Sequence, residues 1–146
     1  MALNIVDIPA GGGGWFKADP EMTEWTAFLI EVKHFERQRP GAYGPKDSAL
    51  VDMTIFKSEE SLASGIPDEV REGTRVEQTV LARDLGVIGV GGATIVTLAQ
   101  VASKKPGSHP AWVWRQAGAD AKRAVLAYAE KREAELDAIL AGAPQF

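Results

Sequence analysis

From residue 25 onward the chain alternates between apolar and polar positions. In "WTAFLIEVKHFER" (25–37), Phe28, Ile30 and Val32 share one face by period-two spacing, and Glu31, Lys33, Phe35 and Arg37 fall on the other after Leu29, which predicts a strand. A polar stretch broken by Pro40, Gly41, Gly44 and Pro45 predicts a long loop over 38–47. In "SALVDMTIFK" (48–57), Val51, Met53 and Ile55 oppose Leu50, Asp52, Thr54 and Phe56, so the two strands form a hairpin. Residues 58–74 are polar, are interrupted by Gly65, Pro67 and Gly73, and read as a connection; Arg75–Glu77 reads as a short third strand. Val80, Leu81, Leu85 and Ile88 then recur at helical spacing, with Gly86 and Gly89 near the end of that helix. "GGATIVTLAQVAS" (91–103) returns to a β-branched strand, "KKPGSHP" (104–110) is a basic turn, and "AWVWR" (111–115) is a short strand with Trp112 and Trp114 on one face. From 118 to 140 the chain reads as a helix with Asp120 near its start. Val125, Tyr128, Arg132, Leu136 and Ile139 lie along one side of it, and Gly142 and Pro144 end it.

The order is strand, strand, short strand, helix, strand, strand, helix. It predicts a mainly β fold, a five-stranded Greek-key barrel of the OB (oligonucleotide/oligosaccharide-binding) type, with a helix between strands 3 and 4 and a C-terminal helix. The expected organisation is an irregular N-terminal arm over 1–24, the barrel over 25–116, and the C-terminal helix and tail over 117–146. The arm carries four glycines at 11–14, then Trp15 and Phe16. A flexible stretch followed by two large rings reads as a docking element, either for this core or for another subunit.

Composition narrows the function. The 146 residues, 45% hydrophobic and 25% charged, suit one soluble domain with its own core. Without cysteine, disulfides, thiolate metal sites and a cysteine nucleophile are excluded. His34 and His109 form no ligand motif, and no metal or other cofactor is expected. No run approaches the roughly 18 apolar residues of a membrane span, and the N-terminus lacks a signal-peptide pattern, so a cytoplasmic location without membrane association is expected.

The formal net charge of −4 is unlike that of a typical nucleic-acid binder. Residues 33–48 are a local exception. They gather Lys33, His34, Arg37, Arg39 and Lys46 against Glu36 and Asp47, with Phe35 and Tyr43 among them. In an OB barrel the loops after strands 1 and 4 flank the ligand face of strands 2 and 3. Both loops are basic here, the second through Lys104, Lys105 and His109. Cations that follow phosphates, together with flat rings that stack on bases, are what sequence-independent single-strand binding requires. The candidate DNA-binding residues are therefore Lys33, Phe35, Arg37, Arg39, Tyr43, Lys46, Lys104, Lys105, Trp112 and Trp114. The alternative for the two tryptophans, as for most tryptophans, is packing in the core where the last strand closes the barrel, and the alternative for the basic loop is a solvated hairpin tip.

No catalytic constellation emerges. "GVIGVGG" (86–92) follows a helix rather than opening one and has no Lys-Ser/Thr after it, so it reads as a helix stop and tight turn. Asp52 lies on the face opposite Val51 and Met53 without a partner carboxylate, and the serines sit in no nucleophile elbow. No enzyme is expected.

The segments "LVDMTIF" (50–56), the helix Leu81–Leu85 running into "VGG" (90–92), "KKPG…PAWVW" (104–114) and the Ala-rich helix from Ala119 resemble a family of small actinobacteriophage proteins, the OB-fold single-stranded-DNA-binding proteins. The resemblance covers about residues 25–132. It implies coating of single strands without sequence preference during phage DNA replication or recombination. The implied partners are single-stranded DNA, further copies of the chain in a homo-oligomer, and replication or recombination proteins. The acidic balance, the aromatic arm and the mixed-charge C-terminal helix favour an alternative, a phage protein–protein interaction module, structural or host-interfering.

Overall fold

The structure is a computed structural model that describes residues 14–40, 44–102 and 110–141. A short 3-10 turn at Pro20–Glu24 precedes β1 (Ala27–Arg39), β2 (Lys46–Phe56), α1 (Glu59–Ser64), β3 (Glu69–Val76), α2 (Thr79–Ile88), β4 (Ala93–Val101), β5 (Ala111–Gln116) and α3 (Ala119–Ala141). The strands form one antiparallel sheet in the order β3-β2-β1-β4-β5. It curls into a half-barrel, with α2 between β3 and β4 and α3 at the C-terminal end. This is the expected OB-like, mainly β fold.

The alternation of β1 and β2 builds the interior. Phe28, Ile30 and Val32 stand beside their register partners Ile55, Met53 and Val51 on the inner face of the curled sheet, all fully or almost fully buried. Leu81, Ala82 and Leu85 of α2 seal one side of this core. Each such side chain contributes about 1.5–3 kcal/mol of burial free energy, so the half-barrel needs no staple. The opposite face of β1 and β2 is also apolar at one end. Ala27, Leu29 and Phe56 pack beneath Leu62 of α1 and Val125 of α3, and Tyr128 meets Phe56 edge-on at 5.4 Å between ring centroids. Arg132 then reaches Glu31 of β1 at 2.7 Å. The expected α3 face thus packs through Val125, Tyr128 and Arg132, whereas Leu136 is 55% exposed. The side chain of Ile139 lies outside the described residues.

Three features differ from the sequence reading. First, β3 begins at Glu69 rather than Arg75. Gly73 does not break it: β3 bulges there, Glu72 and Gly73 standing opposite the single Asp52 of β2, with Gly73 at φ +65° and its N–H donating to the Asp52 carboxylate at 2.9 Å. Second, the connection after β2 contains α1, started by a reciprocal capping box between Ser58 and Ser61 and stopped by Gly65 in the left-handed region. Third, β1 carries a bulge between Val32 and His34. That bulge decides which candidate side chains can meet a ligand.

The two edges of the sheet are β3 and β5, and among the described residues no ladder joins them. The N-terminal arm lies against the β3 edge. Arg75 N–H donates to the Gly14 carbonyl at 2.9 Å, and Phe16 N–H donates to the Arg75 carbonyl at 2.8 Å, forming a parallel bridge between Trp15 and Arg75. Phe16 is 4% exposed and packs on Trp114 of β5, with 5.6 Å between centroids. Of the two docking targets open for the arm, this core takes Phe16, while Trp15 stays exposed. The four-glycine run at 11–14 lies, apart from Gly14, outside them.

Candidate functional site

The bulge places Lys33 and Phe35 apart. Before it, Val32 pairs with Val51; after it, His34 pairs with Leu50 and Phe35 with Ala49. Phe35 therefore joins the inward set and packs against the core. Its ring lies on Gly86 of α2, where a Cβ would stand only 2.4 Å from Phe35 Cζ, so a hydrogen at residue 86 is what admits the ring. Lys33 instead turns to Asp52 on the outer face, at 3.7 Å. The shared Lys33–Phe35–Arg37 face read from simple alternation does not form, because one extra residue in β1 reverses the parity. Phe35 is half-buried, and its packing on the core leaves it less surface for stacking a base than an exposed strand ring would have. It serves as a platform under the Arg37 guanidinium, 5.9 Å from the ring centroid.

The cations of the hairpin divide into two groups. Lys33 is paired with Asp52. Arg39 is held between Glu36 at 3.4 Å and Glu77 at 3.2 Å, the latter 38 residues away and just beyond β3. Arg37 and Lys46 are exposed and have no carboxylate partner among the described residues. Tyr43, Lys104 and Lys105, with His109, lie outside the described residues.

Lys46 stands at the base of the β1–β2 loop, on the wall of a groove of about 360 Å³. Glu77, Gln78, Thr79 and Val80 at the β3–α2 junction form its floor, and Ala111 and Trp112 at the start of β5 close it. A smaller recess of about 150 Å³ continues on the other side of Lys46, bounded by Gln38, Asp47 and Arg83. The groove thus lies between the first residue of β2 and the first residues of β5. Trp112 is partly buried against the core and presents its remaining surface to this groove.

Trp114 is different. Its indole N–H donates to the Leu81 carbonyl at 3.2 Å, and its ring packs on Phe16 and Phe28. Its covered face belongs to the core, and its remaining surface lines a separate recess with Asp84, Val87 and Arg115. The sequence reading missed Arg75, which projects outward on β3 opposite Leu50 and donates to Ser48 Oγ at 2.8 Å. Extending β3 back to Glu69 would have placed it there by alternation.

Asp52 is spent on Lys33 and on the Gly73 N–H. Among the described residues there is no group of three or more metal-ligating side chains, and no helix is long and apolar enough to cross a membrane. The described residues form a small OB-like domain in which a cation, Lys46, and an indole, Trp112, line one groove. Compared with protein-family models, curated proteins and solved structures, the chain matches none of them.

Proposed function

We propose that the protein binds single-stranded DNA without strong sequence preference and performs no chemistry on it. The observation that supports this most is the groove that brings Lys46 and Trp112 together, with Arg37 nearby on the same hairpin. An OB-like sheet uses the corresponding loops and face for oligonucleotides, and an unpaired cation beside a partly free indole suits a phosphate next to its base. Lys33 and Arg39 contribute less, because a phosphate must displace the carboxylates that already hold them. Exposed pairs of this kind are worth only about 0–1 kcal/mol, so displacement is feasible yet leaves little net gain. Binding of moderate strength and steep salt dependence follows. A role in phage replication or recombination, with further copies of the chain as partners, rests on the family resemblance.

The same ion pairing favours a second reading, a protein-interaction module. A face of Lys33, Asp52, Glu36, Arg39 and Glu77 with its charges largely balanced is a better surface for a polar protein rim than for a polyanion. Retention on single-stranded-DNA cellulose at low salt separates the two. The DNA reading expects the protein to be retained and then eluted by moderate salt. Flow-through at low salt, with the folded state verified, favours the protein-interaction reading.

A further inference from the structure

Among the described residues the proposed site is short of aromatic surface, since Phe35, Trp112 and Trp114 are each partly buried against the core. The most open large ring among the described residues of the arm is Trp15, which is 65% exposed. Its position is fixed rather than incidental. The parallel bridge sets Trp15 in register with Arg75, and residues in register on neighbouring strands project to the same side of a sheet. Phe16, the next residue, is buried in the core, so Trp15 points outward, as Arg75 does. Lys17 is exposed on the far side of Phe16 and has no carboxylate partner among the described residues; neither has Arg75. The arm then continues along β3 until Ala18 N–H donates to the Gln78 side chain at 2.9 Å, and Gln78 lines the groove of Lys46 and Trp112.

We infer that Trp15, flanked by Lys17 and Arg75, is the main base-stacking platform of the protein, and that the docked arm extends the single-strand path from the groove along the β3 edge. This inference rests on the single-strand reading above. An indole open to solvent costs the free protein hydration free energy that a stacked base relieves, and two unpaired cations beside it hold the phosphates on either side. Phe16 keeps the platform rigid, because its burial and the two backbone hydrogen bonds of Arg75 fix the arm on both sides of Trp15.

The test uses the full chain and an oligo-dT of about 30 nucleotides, comparing wild type, Trp15→Ala and Trp15→Phe by mobility shift and tryptophan fluorescence. Trp15 is 65% exposed, so both variants are expected to stay close to the wild-type urea midpoint. Trp15→Ala is expected to weaken binding about tenfold. Trp15→Phe is expected to keep most of the affinity, because a flat ring remains, while losing most of the fluorescence quenching. Wild-type affinity and full quenching in Trp15→Ala would overturn the inference and leave the single-strand reading standing. An equal loss in Trp15→Phe and Trp15→Ala would also overturn it, because stacking tolerates either ring. If the wild type itself fails to bind, the single-strand reading falls and takes this inference with it.

Discussion

Phe16→Ala is expected to lower the unfolding free energy by about 3 kcal/mol, the low end for deleting a buried phenylalanine. Phe16 is almost fully buried, rests on Trp114, and occupies the seam where β3 and β5 stay unpaired. Without its ring, the edge of Trp114 and the adjoining core face water, and the two backbone hydrogen bonds of Arg75 lose the anchor that holds the arm in register. Urea denaturation is the check. With a slope of roughly 1.5 kcal/mol per molar, the midpoint falls by about 2 M. Phe16→Leu refills part of the space and is expected to recover much of the loss. A midpoint shift below a few tenths molar in Phe16→Ala would mean that the arm does not close the seam.

The second large effect concerns charge. The double variant Arg37→Ala, Lys46→Ala is expected to flatten the dependence of log affinity on log salt by about 1.4, since each phosphate contact with a single strand contributes about 0.7 to that slope. Arg39→Ala is expected to change the slope much less, although Arg39 sits in the same hairpin. Its guanidinium already faces Glu36 and Glu77, so little counterion release depends on it. Binding isotherms at several salt concentrations decide the matter. Equal slopes in the two variants would show that the ion pairing seen on this face does not govern ligand contact.

These expectations draw unequally on sequence and structure. The core was legible because Phe28, Ile30 and Val32 against Val51, Met53 and Ile55 follow an unbroken period of two, and burial on one face is all that such a pattern requires. The helix between β3 and β4 was legible from Leu81 and Leu85. The bulge at Lys33 was not, because the extra residue is defined only by what β1 pairs with, and its effect is to reverse the side to which Phe35 points. β3 was shortened because Gly73 reads locally as a break, whereas in the sheet it is the residue that lets the strand bulge around Asp52. The capping box at Ser58 and Ser61 was readable in principle from the spacing alone.

The site was harder to read than the fold. Gathering cations in one segment is a sequence property, but their availability depends on Glu77, which arrives from the end of β3, and on Asp52 from the middle of β2. The rings show the same divide. Trp112 and Trp114 share a strand face, yet Trp112 lines the groove of Lys46 whereas Trp114 donates to the Leu81 carbonyl and lines a different recess. Trp15 and Phe16 were recognisable as a docking pair, but which ring is buried and which stays open follows from the bridge to Arg75.

The central claim is tested most directly by titrating intrinsic tryptophan fluorescence with an oligo-dT of about 30 nucleotides at low and at physiological salt. The expected result is saturable quenching at low salt that weakens steeply as salt rises, with a mobility shift in parallel. No quenching and no shift at low salt would contradict the account and leave the basic hairpin a solvated tip on a protein-interaction module.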